Sequence, residues 1–454
     1  MEKKEKLIDI TVLVILAGFI LLWNLGTGSL NSWDEAVYAQ VSREMLNSHN
    51  YMDLTWAGQP WSDKPPLYMW VTVVFYKIFG INEFSARLFS ALCGMGTVVV
   101  TYLIARQLYS RRAAFCAALV LLSTWHFIWI SKMGMLDAAF TFFISLSIYW
   151  FVAGTKQKIY LFLSMLSFGC VFMTKGSGAL LVPIILSVYI IAAKKYNLMR
   201  EQALWAGLAV TVLIVGLWHY AAFTHYGKEF IAGYFKKHLL TRVTKSVEGH
   251  GGPIYAYFKT IPNKGRPWGM VSFLVVPFAL WQTLKKKNGS AHILPLSWAI
   301  TTLVLFSLVR TKLNWYIVPI YPAISLLIGW AIDRIFNKKA IIFTATCAVL
   351  SLIYLTAERN IFNLDYTHDT KKFVTSLREK MEPGARPHLY DCDPSLLFYL
   401  TDKGADVGIP LLFNDCIKIK GCYIVLTRNR LGSLDKSAYS IMEENPDFVA
   451  IKVK

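Results

Sequence analysis

The chain has 454 residues, 55% of them hydrophobic, and carries 47 Lys and Arg against 28 Asp and Glu for a net charge of +19. A mean hydropathy of +0.43 excludes an ordinary soluble globular protein. The positive charge sits in short clusters between apolar runs, with no basic, aromatic-interleaved soluble module, which argues against a nucleic-acid binder.

In chain order the apolar runs predict spans near 8–26, 84–106, 113–131, 136–153, 159–173, 178–193, 203–221, 267–284, 292–309, 315–335 and 340–356. Each suits a helix crossing ~30 Å of hydrocarbon, some of them short or tilted. The expectation is a polytopic α-helical membrane protein of about eleven spans. No small-residue cleavage site follows the first run, which reads as an uncleaved span. Leu67–Phe79 is also apolar, but counting it as a crossing puts every later basic cluster opposite Lys3-Lys4. It therefore reads as a juxtamembrane or re-entrant helix on the outer side. Then Arg106, Arg111-Arg112, Lys156, Lys158, Lys194-Lys195, Arg200, Lys285-Lys286-Lys287 and Lys338-Lys339 share the cytoplasmic side with the N-terminus.

Residues 1–356 read as the membrane domain, with outer loops at 27–83 and 222–266. Residues 357–454 change composition. Strand-like runs (His388-Leu389-Tyr390, Cys422–Leu426, Phe448–Val453) alternate with helical ones (Thr370–Met381, Ser395–Thr401), which predicts a small extracytoplasmic α/β domain. None of the seven cysteines has metal-site spacing. Two of Cys392, Cys416 and Cys422 can pair if the tail is extracytoplasmic.

The unusual polar chemistry falls on the outer face. Ser32-x-x-Glu35 is a capping-box pattern, with Val37, Val41 and Met45 following as one apolar stripe. Glu35 then reads as a cap and Asp34 as a first-turn acid favoured by the helix dipole, unless it is catalytic. In Asp63-Lys64-Pro65-Pro66 the prolines fix the chain direction and present Lys64, which either snorkels or binds a phosphate. Asp137 stands at the mouth of a span and needs a partner, for which Lys132 or Lys64 can serve. Lys175 lies in the short turn Met173–Gly178, whose spacing is wrong for a phosphate-binding P-loop. His238, Arg242 and Glu248-Gly249-His250 occupy a Gly-rich loop suited to a lid, an anion contact or a weak metal site. Lys312 and Tyr316 close the set at the start of the tenth span, where the bland reading is an interfacial anchor.

Singly these residues are ambiguous. Together they share one face in a topology chosen only from Lys and Arg, which points to a site at the outer membrane–water boundary. Carboxylates (Asp34, Asp137) with cations (Lys64, Lys175, Arg242, Lys312) in apolar surroundings suit a lipid-linked phosphate. A rival reading, a lipid or oligosaccharide transporter, predicts internal repeats and midplane charges, and the sequence has neither.

The ordered set Trp33-Asp34-Glu35-x-x-Tyr38-Ala39, Asp63-Lys64-Pro65-Pro66-Leu67, Met135-Leu136-Asp137, Thr174-Lys175-Gly176, the His238/Arg242/Glu248-Gly249-His250 loop and Lys312-x-x-x-Tyr316-x-x-Pro319 resembles bacterial protein-mannosyltransferase-like GT-C glycosyltransferases, above all their lipid A aminoarabinose transferase branch. The resemblance runs over roughly residues 5–356. It implies an inverting enzyme of the bacterial inner membrane that moves a sugar from a polyprenyl-phosphate donor to a lipid, glycan or protein acceptor on the periplasmic face. It implies Asp34 and Asp137 as catalytic acids, and Glu35, Lys64, Lys175, Arg242, Lys312 and Tyr316 as donor or substrate contacts. It also implies a divalent metal held by Asp63 with His238 or His250.

Overall fold

The structure, a computed structural model, describes residues 2–32, 34–230, 234, 245, 249–285, 290–359, 369–382, 385, 387–390, 393–401, 420–432 and 434–454. Helices α1 (Glu2–Leu22) and α2 (Asp34–Ser48) are followed by a hairpin of β1 (Thr55–Trp56) and β2 (Gln59–Pro60), then α3 (Leu67–Phe79) and α4 (Glu83–Leu108). Next come α5 (Arg111–Leu122), α6 (Trp125–Lys132), α7 (Leu136–Ala153), α8 (Ile159–Lys175), α9 (Leu181–Ala192) and α10 (Gln202–Tyr226). Then follow α11 (Ala256–Lys264), α12 (Trp268–Lys285), α13 (Ile293–Leu308), α14 (Ile320–Phe336) and α15 (Ala340–Arg359). The C-terminal part holds α16 (Thr370–Lys380), β3 (Pro387–Leu389), α17 (Pro394–Leu400), β4 (Tyr423–Thr427), β5 (Tyr439–Glu444) and β6 (Phe448–Val453).

These elements form two compact units. The first comprises Met1–Trp23, Ser62–Val71 and Leu88–Phe362, and the second Asn24–Trp61, Thr72–Arg87 and Asn363–Lys454. The sequence reading had drawn one boundary at 356/357 and left 27–83 with the membrane domain.

Five helical stretches among the described residues are long and apolar enough to cross a membrane: Glu83–Leu108, Leu136–Ala153, Ile159–Ala192, Gln202–Tyr226 and Ile320–Glu358. Local structure accounts for part of the difference from the expected eleven spans, in two ways. The run expected as one span at 113–131 is α5 and α6, bent by 63° at Ser123-Thr124. The hydroxyls of Ser123 and Thr124 turn back onto the carbonyls of Leu119 (2.7 Å) and Val120 (2.8 Å), competing with the helix ladder. Conversely, Ile159–Ala192 and Ile320–Glu358 each contain a 3-10 turn next to a residue of positive φ, Gly176 (54°) and Asn337 (49°). These are the positions where the sequence predicted a turn between two spans. α3 has 13 residues, about 20 Å of helix, short of the hydrocarbon thickness.

Within the first unit, helices approach at glycines. A Cβ at Gly207 of α10 would meet the Phe162 carbonyl of α8 at 2.7 Å, and one at Gly329 of α14 would meet Ala117 N of α5 at 2.5 Å. Small residues at such crossings let backbones pack closely where lipid supplies no hydrophobic drive between helices. Asp9 of α1 accepts hydrogen bonds from Arg111 (two, both 2.8 Å) and Tyr102 (2.8 Å), tying α1 to α4 and α5.

The second unit is α/β. Its four-stranded sheet has the order β3-β4-β6-β5, with β3 parallel to β4 and the other pairs antiparallel. Its core joins Phe373, Val374 and Leu377 of α16, the α17 residues Leu396–Leu400, and Val425, Phe448 and Ala450 of the sheet. Leu30, together with Ala36 and Ala39 of α2, Tyr76 of α3 and Ala86 of α4, completes that core. Asp393 caps α17 through Ser395 N (2.9 Å) and Leu396 N (3.2 Å), with Pro394 pre-set for the first turn. Cys422 is buried, while Cys392 and Cys416 lie outside the described residues.

Candidate functional site

In the first unit, Asp137 is the second residue of α7 and Lys175 the last of α8. The two helices form an antiparallel hairpin, so these residues come level at one end. They make an ion pair with side chains 2% and 10% exposed, respectively. The Lys175 ammonium also lies 4.5 Å from the Tyr316 ring centre and 5.2 Å from that of Phe140. Tyr316 comes from the 3-10 turn Asn314–Ile317 ahead of α14. The structure thus unites three residues picked from sequence, Asp137, Lys175 and Tyr316. The ion pair the structure gives Asp137 is with Lys175, a partner the sequence reading had not considered. The Lys132 ammonium donates to the carbonyls of Trp23 (2.6 Å) and Ile20 (3.3 Å) at the end of α1.

Lys175 is followed by Gly176 at φ 54°, where a Cβ would fall on the Tyr234 hydroxyl. Gly176→Ala is therefore expected to lower stability by about 1–3 kcal/mol and to disturb the Lys175 pairing. Thermal unfolding in detergent measures the first effect, and an unchanged melting temperature would sink it.

Lys312 has a different surrounding from the one expected. Its ammonium donates to the carbonyls of Phe306 (3.1 Å), Ser307 (2.7 Å) and Val309, capping the C-terminal end of α13. Burial, with the Arg310 charge adding to it, lowers its pKa from the ordinary lysine value. Its backbone N–H donates to the His250 carbonyl (2.7 Å), beside the Gly251–Thr311 bridge. Lys64 is half-buried and its ammonium donates to the Asp63 carbonyl at 3.3 Å. Pro65 and Pro66 lead directly into α3, and Pro66 O accepts the first-turn bond from Trp70 N (2.9 Å).

In the second unit, α2 begins at Asp34 and Glu35. Glu35 is 2% exposed and both its oxygens are engaged. Oε1 accepts from Arg87 Nε at 2.7 Å, and Oε2 accepts from Asn31 N (2.7 Å) and Asn31 Nδ2 (2.9 Å). The capping box is not formed as expected. Glu35 reaches back to Asn31, while the Ser32 hydroxyl donates to Asp393 (2.6 Å). This geometry makes Glu35 a structural ion-pair member, which replaces the substrate contact expected of it. Arg87 was missed from sequence. It is fully buried and also donates to the carbonyls of Thr27 (2.7 Å), Ser29 (2.9 Å) and Leu25 (3.2 Å). An arginine inside an apolar run was the available signal.

Asp34, next to this anchored carboxylate, is half-buried and its side chain has no hydrogen-bond or salt-bridge partner among the described residues. A first-turn carboxylate with open lone pairs, on a helix start fixed by a buried Arg–Glu pair, can accept a proton from a bound hydroxyl.

A metal site does not take shape. Among the described residues no three His, Cys, Asp or Glu side chains converge, Asp63 and His250 included, and His250 is exposed. His238 and Arg242 lie outside the described residues.

Residues 63–220 match the family model of dolichyl-phosphate-mannose-protein mannosyltransferase. An uncharacterized protein of Aquifex aeolicus (strain VF5) is 30% identical over 364 residues, 78% of this chain and 70% of that relative. The undecaprenyl phosphate-alpha-4-amino-4-deoxy-L-arabinose arabinosyl transferase 1 of Pseudomonas fluorescens is 27% identical over 370 residues, 77% of this chain and 66% of that enzyme. The chain thus spans about two thirds of the length of this transferase. The crystal structure of ArnT from Cupriavidus metallidurans bound to undecaprenyl phosphate matches with a TM-score of 0.79 at 19% identity, covering 98% of this chain and 97% of that one, which shows the fold. On this sequence and fold likeness, the chain is a multi-pass membrane protein that belongs to the protein-mannosyltransferase-like family of GT-C glycosyltransferases.

Proposed function

We propose that the chain is an inverting glycosyltransferase. It takes a sugar from a polyprenyl-phosphate donor and passes it to a lipid, glycan or protein acceptor on the periplasmic face of a bacterial inner membrane, with the N-terminus cytoplasmic. The relative named for undecaprenyl phosphate and 4-amino-4-deoxy-L-arabinose favours an aminopentose as the sugar. The observation that carries the reading is Asp34, a carboxylate with no side-chain partner among the described residues, beside the buried Glu35–Arg87 pair.

Asp34 accepts the acceptor hydroxyl proton as the oxygen attacks the anomeric carbon. The bond from that carbon to the phosphate oxygen breaks with its electron pair going to the phosphate. The polyprenyl phosphate is already a good leaving group, so no general acid is paired with the base, unlike ordinary glycoside hydrolysis. Lys64 and Lys175 meet the phosphate, and Tyr316 holds the lysine face that Asp137 leaves open.

The test is transfer from a radiolabelled polyprenyl-phosphate sugar pool in membranes holding wild type or Lys64→Ala. We expect wild-type transfer and a loss of about 10²-fold in the variant, the scale of one well-placed donor to developing charge. No wild-type transfer from any polyprenyl-phosphate sugar would overturn the reading. Undiminished transfer by Lys64→Ala would remove that lysine from it.

A further inference from the structure

Outside the residues used above, the first unit holds one fully buried histidine at a helix break. His126 is the second residue of α6, just past the 63° bend at Ser123-Thr124. Its Nδ1 lies 2.9 Å from the Tyr321 hydroxyl, and its Nε2 is buried with no hydrogen-bond partner among the described residues. Filling the core does not require such a pair, since phenylalanine at both positions would leave no polar atom stranded there. The bend around it is held from several sides. Trp268 Nε1 donates to Ser123 Oγ (2.8 Å), Ser351 Oγ donates to the Ser123 carbonyl (3.2 Å), and Trp125 N donates to the Arg266 carbonyl (3.1 Å). Gly265 leaves room for the Tyr321 ring, because a Cβ there would stand 2.8 Å from ring carbon Cε1.

The two ends of the His126–Tyr321 bond lead to the lysine cluster by different routes. From His126 the chain runs through α6 and the caps Met133 and Met135 into Asp137, and Ser90 Oγ pins the Met135 carbonyl at 2.7 Å. From Tyr321 it runs back through Pro319 and Val318 to Tyr316. Asp137 and Tyr316 are the two groups on Lys175. We propose that His126 is a positioning residue: its hydrogen bond to Tyr321 ties the arm bearing Asp137 to the arm bearing Tyr316, and so sets where the Lys175 ammonium points. This inference rests on the reading that Lys175 receives the donor phosphate.

The experiment is a donor titration of sugar transfer by wild type, His126→Phe, Tyr321→Phe, the double variant and His126→Gln, with thermal unfolding of each in detergent. Tyr321→Phe removes a single oxygen and keeps the test available if His126→Phe fails to fold. Each Phe variant is expected to lower kcat/KM for the donor about threefold to tenfold, the scale of one lost hydrogen bond. The double variant should be no worse than either single one, and His126→Gln, which keeps a group able to bond Tyr321, should recover part of the loss. Additive losses in the double variant, or no recovery by a folded His126→Gln, would overturn the inference, as would a donor kcat/KM that does not move in a wild type that transfers. A wild type that transfers no sugar would overturn the reading of the site and the inference with it.

Discussion

Asp34→Asn is expected to reduce sugar transfer by about 10²- to 10⁴-fold, the range over which a positioned general base acts, while leaving expression and thermal unfolding unchanged. The second half of that expectation comes from the geometry. The Asp34 side chain has no hydrogen-bond or salt-bridge partner among the described residues, so an isosteric amide breaks nothing in the fold. An amide at the first turn loses only the dipole contribution, about 0.3–1 kcal/mol. One residue on, the balance reverses. Glu35 neutralises fully buried Arg87, and losing its charge strands a guanidinium in the core, a change on the order of 3–5 kcal/mol. A variant pair that separates this way, Asp34→Asn inactive but folded and Glu35→Gln unstable, assigns chemistry to the first acid and scaffolding to the second. Transfer from the radiolabelled donor measures the first and melting in detergent the second. Asp34→Asn within tenfold of wild type would remove Asp34 from the mechanism.

What the sequence could and could not say follows from the range of each interaction. The α7–α8 hairpin is local, and its short connection makes Asp137 and Lys175 level. Their pairing was therefore legible in helix lengths alone, although Lys132 and Lys64 were the partners considered. Leu67–Phe79 was legible as a helix because 13 consecutive residues are apolar or interfacial. The bend inside 113–131 was hidden by an apolar run that carries only Ser123 and Thr124 as a mark, and hydroxyls that bond back to their own helix leave hydropathy almost unchanged. The surroundings of α2 were the least legible part. Ser32 donates to Asp393, 361 positions away, and Arg43 NH1 donates to Thr401 Oγ1, 358 positions away. Contacts of that separation belong to tertiary structure, so a capping pattern read from four residues gave the right helix start and the wrong partner. The loop carrying His238, Arg242 and Glu248 lies outside the described residues, so its part in the site rests on the family resemblance.

Removing either member of the Asp137–Lys175 pair alone is expected to destabilise the membrane domain by about 3–5 kcal/mol, because the two side chains are 2% and 10% exposed and the remaining one would lose this opposite charge in a largely dry place. Replacing both with apolar residues of similar length, Asp137→Leu with Lys175→Met, is expected to recover most of that stability. Desolvating two charges costs nearly as much as their attraction returns, and a well-packed apolar pair escapes the cost. Transfer should behave differently. In the proposed reading the Lys175 ammonium meets the donor phosphate, and a methionine there has no charge to offer it. The double variant should therefore melt close to wild type yet transfer on the order of 10²-fold less, the scale of one lost charge-stabilising donor. Thermal unfolding and donor-saturated transfer on the same preparations separate the two effects. If transfer returns together with stability, the pair is a structural strut between α7 and α8, and the phosphate must be met by other cations.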